Sequence, residues 1–271
     1  MKKVVVLMLL FCVSCVYSYG QKNTVVKRDT SKGVDFFVNG GMYVGNKKNA
    51  NYYRGNLRGA ESEYAQPDIR YILNYWHYRE EIQRLIEENH RGIGEKSFRI
   101  NDCSNMLYDL NFSFGIGVKY RFTQHLSIGV ALTQALMTAN GFAYLGIKLY
   151  QDNSPDELRY PLVGKERRTA FELNASYLFG TKGYVCPLLE AGIYVNSTKV
   201  ISADIVVEGV PFSLFNYGAN HDFNYNQTDI SQKRGGVGYG FSAAFGVRIS
   251  FNKWAAIEPV AQFRMEKVNL V

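Results

Sequence analysis

Eight charged side chains occupy alternate positions in apolar stretches, where opposite charges could neutralise one another or two carboxylates could exchange a proton. They are Lys119, Arg121, Glu172, Glu190, Arg248, Glu258, Arg264 and Glu266. Because four are cations and four are anions, a salt-bridged network is the favoured interpretation. A gated ion path or an acid-base pair would need water and substrate to reach these groups, which a narrow interior hardly allows.

The residue types that usually bind metals or act as nucleophiles are scattered. The histidines are His77, His90, His125 and His221. None has a metal-ligand spacing with another His, a Cys or a carboxylate, so we predict no metal site and no cofactor. No motif links Ser104 or Ser154 to His221 as a nucleophile to its base. The chain is therefore not expected to be an enzyme.

The eight charges must be positioned by segments whose side chains alternate between apolar and polar. The clearest segment, 110–122, has Leu, Phe, Ile, Val and Tyr at even positions and Asn, Ser, Gly, Lys and Arg at odd positions. This period of two predicts strands with one face toward lipid and the other toward a small polar lumen. Similar segments are 34–45, 126–134, 171–179, 185–195, 237–251 and 257–265. A soluble lipocalin-like barrel or sandwich is the alternative, less favoured because the apolar rows are so aromatic.

Connections between these segments are of two kinds. Short polar turns follow aromatic residues at 123–125, 180–183 and 252–253, whereas long loops are predicted at about 47–105, 137–167 and 197–236. Short periplasmic turns and long outer loops are typical of outer-membrane barrels, with aromatic residues at the interfaces. Four of the charges lie near the short turns and should form one network at a similar height. These four are Lys119, Glu190, Arg248 and Glu258.

The first twenty residues resemble a secretory signal. Lys2 and Lys3 precede an apolar run of about ten residues, and small residues precede Gln21, so we predict cleavage after Gly20. Acylation of Cys15 is the alternative. Residues 21–33 would form a periplasmic tail, and 34–271 the barrel. No later run of 18 apolar residues predicts a membrane helix.

Two further expectations concern the mature chain. Cys103 and Cys186 should lie at opposite ends of the barrel as thiols, because the predicted topology keeps them apart. The formal net charge of +7 is mild and dispersed, so no nucleic-acid partner is expected.

Residues 34–266 resemble the small outer-membrane β-barrel proteins of Gram-negative bacteria, the OmpA-transmembrane and OmpX-like group, and a mature start at Gln21 resembles exported proteins of the Bacteroidota. The resemblance implies an all-β, antiparallel transmembrane barrel with an even number of strands, set in outer-membrane lipid and lipopolysaccharide. We predict about eight strands, although seven segments are clear. Segment 142–150 could supply the eighth. A strand in a longer natural chain is another possibility, while 201–215 is better interpreted as strands that rise above the membrane.

The first long loop is expected to contain a helix. The run from Pro67 to Asn89 has Asp near its start, Gly shortly after its end and an apolar stripe along its length. It could be a partner-docking helix, or it could pack on the barrel mouth and cover its own loops. The candidate docking residues are Tyr75, Trp76, Tyr78, Ile82 and Leu85.

These expectations lead to a functional hypothesis. The chain would be an outer-membrane barrel with a closed polar lumen that scaffolds surface loops for interaction, with a protein partner docking through those loops, or an accessory subunit of an envelope complex. A small pore is the first alternative, and a lipid-modifying enzyme is a less favoured one.

Overall fold

The computed structural model describes residues 32–54, 69, 73, 76–90, 93–149, 156–180, 184–214, 235–251 and 255–270. Within these residues the chain is an all-β antiparallel sheet with two short helices, α1 (Lys47–Ala50) and α2 (Trp76–Asn89), and a 3-10 turn at Asn51–Arg54. The strands are β1 Gly33–Tyr43, β2 Ile93–Cys103, β3 Leu107–Tyr108, β4 Asn111–Arg121, β5 Leu126–Leu149, β6 Asp156–Leu178, β7 Val185–Val207, β8 Val210–Ser213, β9 Gly235–Ser250, β10 Ala256–Ile257 and β11 Val260–Leu270.

Seven long strands form the main path of the sheet. The order is β1-β4-β5-β6-β7-β9-β11, and every neighbouring pair is antiparallel. Six steps of about 4.8 Å would separate β1 from β11 by roughly 29 Å in a flat sheet. The Tyr43 hydroxyl of β1 nevertheless lies 3.5 Å from Glu266 Oε1 of β11. The sheet is therefore strongly curled, with an inner and an outer face, and no backbone ladder joins β1 to β11 among the described residues.

The curled sheet has two parts that differ in where their apolar side chains point. The base comprises 33–43, 111–134, 169–178, 185–197, 236–250 and 256–266, and the head comprises the described residues of 47–110, 135–168 and 198–214. On β5, Ile128 and Val130 of the base lie on the exposed outer face, whereas Leu145 and Ile147 of the head are buried on the inner face. The apolar side chains thus change faces along a single strand.

The head has a hydrophobic core between the extended strands and the segments that cover them. Helix α2 contributes Ile82, Leu85 and Ile86, which are spaced to lie on one face of the helix and are buried. The helix ends where the Asn89 side chain donates a hydrogen bond to the carbonyl oxygen of Leu85 (2.9 Å). Strand β2 adds Phe98 to the same core. The head therefore buries apolar surface as a soluble domain does.

A β-bulge at Ile201 lets β7 direct even-numbered side chains inward in the base and odd-numbered side chains inward in the head. Val200 pairs with Glu166 and Ser202 pairs with Lys165, so Ile201 is an extra residue without a partner in this ladder. The extra residue reverses the parity of β7, and odd positions such as Ile205 and Val207 then face the core. Beyond them β7 and β8 form a hairpin through Glu208 and Gly209, which have φ angles of 49° and 84°.

Several expectations need correction. The long loop expected over 137–167 is wrong, because β5 continues to Leu149 and β6 begins at Asp156. For the same reason 142–150 does not supply an eighth strand. Within the loop expected over 197–236, residues 197–200 continue β7, while the β7–β8 hairpin agrees with the strands expected over 201–215. The predicted loop at 47–105 contains both helices and β2.

Two observations concern the remaining structural expectations. No helix among the described residues has the length and hydropathy of a membrane span. Cys103 is buried in the head core, and Cys186 is buried with Leu178 and Leu188 near the opposite end of the sheet.

Candidate functional site

A cluster of ionised side chains fills the inner face of the base near the short turns. Lys119 of β4 donates to Glu190 Oε1 of β7 at 2.5 Å and to Glu258 Oε2, which precedes β11, at 2.9 Å. Arg248 of β9 donates to Glu258 Oε1 at 3.1 Å. The structure thus brings together the four charges that the sequence places near the turns. Each carboxylate is within reach of a cation, so opposite charges face one another on the inner side of the sheet.

A second set of contacts ties the first strand to this cluster. Arg121 Nε lies 3.0 Å from Asp35 Oδ2, and Arg248 Nη1 lies 3.8 Å from the same oxygen. Asp35 was not among the predicted residues, because Phe37 and Tyr43 blurred the alternation of 34–45. In the structure Asp35, Phe37 and Tyr43 share the less exposed, inner side of β1. Treating the odd positions as inward would have found Asp35.

Farther along the inner face, Glu172 is the centre of a second cluster. Its carboxylate accepts hydrogen bonds from Ser242 Oγ at 2.5 Å, Gln262 Nε2 at 3.0 Å and Arg264 Nη2 at 2.9 Å. Glu172 is buried. Three donors and one full positive charge compensate the loss of water around this carboxylate.

The third cluster lies at the junction of base and head, and it joins the predicted Glu266 to two residues that the sequence prediction missed. Glu166 is fully buried and Arg168 is 4% exposed. Arg168 Nε lies 2.5 Å from Glu166 Oε1, and its Nη1 donates to Glu266 of β11. The assumption of a loop through 167 concealed this pair. Extending the even parity of Glu172 backwards along β6 would have found both residues.

Two tyrosines of the head complete this junction. Tyr53 donates its hydroxyl proton to Glu166 Oε2, and Tyr108 donates to Glu166 Oε1 at 3.0 Å. Burial, and then the negative charge of Glu166, raises the pKa of both phenols far above the ordinary value, so both remain protonated donors. Gly164 makes room for Tyr53, because a Cβ at that position would overlap the tyrosine ring.

Contacts of helix α2 show that its apolar side covers the head. Ile82 is fully buried, Leu85 is 9% exposed, and the Tyr78 ring packs edge-on against Phe212 with centroids 5.2 Å apart. Ile82 and Leu85 are buried in the head core, so the prediction that they dock a partner is wrong. The helix instead packs on the head, as the alternative interpretation expected. Trp76 begins the helix, while Tyr75 lies outside the described residues.

The three clusters form a network of ion pairs and hydrogen bonds that links strands across the inner face. Every cation in them contacts at least one carboxylate. Within the described part of the chain, no group of three His, Cys, Asp or Glu side chains is arranged to hold a metal ion. What the arrangement can do is hold the strands of a curled sheet together across its interior.

Comparison of the chain with protein-family models, with curated protein sequences and with solved structures gave no match.

Proposed function

We propose that this protein is an outer-membrane β-barrel whose base lies in the lipid bilayer and whose head stands outside it as a scaffold for surface interactions. The observation that carries the proposal is the outer face of the base, which exposes large apolar side chains on all seven long strands. They include Val38, Phe114, Ile128, Phe171, Ile193, Phe241 and Phe263. A monomer in water rarely exposes so large a contiguous apolar surface.

The height of this apolar surface suits a membrane. The outward side chains from Phe112 in β4 to Phe122 just after it are all apolar or aromatic. Ten residues at about 3.3 Å per residue span roughly 33 Å along the strand. At a tilt of about 40° this corresponds to about 25 Å along the membrane normal, the height of the apolar band of outer-membrane barrels.

Closure of the sheet belongs to the proposal. Strands β1 and β11 run in the same direction, since an even number of antiparallel steps separates them. In lipid their free backbone edges would lack hydrogen-bond partners at a cost of several kcal/mol per group. A further strand antiparallel to both would cover the edges and give the predicted count of eight.

The inner face favours a scaffold over a pore. Lys119, Arg168 and Glu172 are buried in ion pairs at three levels of the interior, and the buried Tyr53 donates to Glu166 at the junction with the head. An open channel would need these groups to be hydrated and separated. We therefore propose a closed barrel that displays the head, either as a surface-interaction protein or as an accessory subunit of an envelope complex.

The proposal is tested on the full chain expressed in a Gram-negative host. We expect the mature protein to fractionate with the outer membrane and to migrate faster on a gel when it is not boiled. In planar bilayers it should give no steady single-channel steps. Release as a soluble periplasmic protein would contradict the membrane assignment. Regular conductance steps would contradict the closed lumen and support a pore instead of a scaffold. Co-purification of a stable companion from gently solubilised membranes would distinguish the accessory subunit from the solitary scaffold.

A further inference from the structure

Three cations stand together on the outer face of the head, directly above the apolar surface of the base. Along the β6–β7 ladder the outward pairs change from Phe171 and Val195, to Thr169 and Ser197, to Arg167 and Lys199. Lys165 follows on β6 at the next outward position and is exposed. We call Lys165, Arg167 and Lys199 the cationic tier. From base to head, the outward pairs are therefore apolar, then hydroxyl-bearing, then cationic. This is the order of acyl chain, interface and charged headgroup in a lipid leaflet.

The fold itself does not explain the cationic tier. Arg167 and Lys199 are direct cross-strand partners, and like charges in that arrangement destabilise a sheet. None of the three cations forms an ion pair with a described residue, whereas the cations of the inner face are all paired. The nearby acid is Asp204, which is half-buried and interacts with Lys165 at longer range. An anion from outside the chain would relieve the repulsion.

Exposed apolar side chains flank the cations. Leu136 of β5 pairs with Arg167 and is 57% exposed, and Ile201 of the bulge is 51% exposed beside Lys199. A soluble anion such as inorganic phosphate makes no favourable contact with apolar side chains. A ligand with a charged headgroup and a hydrocarbon part can contact both.

We propose that the cationic tier binds phosphate groups in the headgroup of a lipid in the leaflet next to the head. The inference rests on the proposed function, because it requires the base to lie in a bilayer. Arg167 can donate two parallel hydrogen bonds to one phosphate, and the two lysines supply compact positive charges beside it. Cross-strand side chains begin about 5 Å apart, so Arg167 and Lys199 can approach one phosphate from two sides.

The test uses the detergent-purified full chain and vesicles of phosphatidylcholine with or without lipid A, a phosphorylated glycolipid. The variant is Lys165→Gln/Arg167→Gln/Lys199→Gln. The control Lys47→Gln/Lys48→Gln/Arg99→Gln removes three exposed positive charges elsewhere. At about fivefold per cation near a charged surface, the tier variant should bind the lipid-A vesicles roughly 100-fold more weakly than the wild type, and the control should bind like the wild type.

Other outcomes would overturn the inference. Equal binding by both triple variants would show that net charge, not this site, attracts the vesicles. Competition by millimolar inorganic phosphate as strong as that by the lipid would show an anion site without lipid specificity. Both results leave the proposed function standing if the chain still fractionates with the outer membrane. If the chain does not fractionate with the outer membrane, the proposed function itself is contradicted, whatever the result of the vesicle-binding assay.

Discussion

The base and the head are built from the same strands, yet they place their apolar side chains on opposite faces. On β5, Leu132 in the base is 49% exposed on the outside, whereas Leu145 in the head is fully buried on the inside. On β6, Glu172 lies on the inner face of the base and the exposed Lys165 on the outer face of the head. A strand has no intrinsic inside. The proposed function accounts for the difference: with lipid around the outer face of the base and water around that of the head, the surroundings would decide which side is apolar.

The junction between the two parts offers the largest expected effect. Glu166→Leu leaves Arg168 buried with Glu266 as its remaining carboxylate and removes the acceptor of Tyr53 and Tyr108. Breaking a buried ion pair from one side costs about 3–5 kcal/mol. Urea unfolding in detergent micelles should show this loss. Glu157→Leu, an exposed acid on the same strand, should change the free energy of unfolding by less than about 0.5 kcal/mol. Equal effects would mean that the junction does not join base to head.

A pair of identical substitutions separates the two kinds of apolar surface. Leu145→Ala should destabilise the protein by about 2–5 kcal/mol, because it leaves a cavity in the head core. Leu132→Ala should cost clearly less, because detergent or lipid fills the space on the outer face. The unfolding free energies of both variants are compared in the same micelles. A larger loss for Leu132→Ala would indicate that the outer face of the base is packed against protein.

A charge on the outer face sharpens the same comparison. Val130→Arg lies at the middle of the apolar surface and should cost about 2–4 kcal/mol in lipid vesicles. Asn140→Arg lies on the same face of β5 in the head, where it is exposed beside Asp109. We expect that variant to fold and assemble like the wild type. Similar assembly of the two variants into vesicles would contradict a lipid-facing base.

The smallest effect concerns the tip of the head. Gly209 has a φ of 84° in the β7–β8 turn, whereas Gly40 on β1 has ordinary backbone angles, and a Cβ would meet no atom within 4 Å at either position. Gly209→Ala should therefore cost about 1–2 kcal/mol from backbone conformation alone. Gly40→Ala should be neutral or slightly stabilising, since glycine weakens a strand. The two melting curves test whether the hairpin is folded as part of the head.

The sequence predicted the strands of the base where their alternation is regular. Even-numbered apolar residues from Leu110 to Phe122 identified β4, and the same parity placed Lys119 on the inner face, where it meets Glu190 and Glu258. Sequence position alone cannot show which strands are neighbours across a curled sheet. The exact ion pairs therefore needed the structure.

One part of the head, the extensions of β5 and β6, was missed for physical reasons. Its strands keep the period of two, but the apolar side reverses near Ala135, so a search for outward apolar rows ends there. The bulge at Ile201 then changes the parity of β7 without any local sign such as glycine or proline. Helix α2 was found because its apolar stripe and the Asp and Gly near its ends are local signals. The surface that the stripe contacts is formed by residues distant in the sequence, so it could not be predicted from the helix itself.

The central claim is that the outer face contacts lipid along the base and water along the head. Single cysteines on β5, placed in a cysteine-free background in lipid vesicles, measure this directly through their reaction rate with a water-soluble maleimide. The positions are Ile128, Val130 and Leu132 in the base and Thr138, Asn140 and Tyr144 in the head. We predict slow reaction at the first three and fast reaction at the last three. Fast reaction at all six would contradict the account.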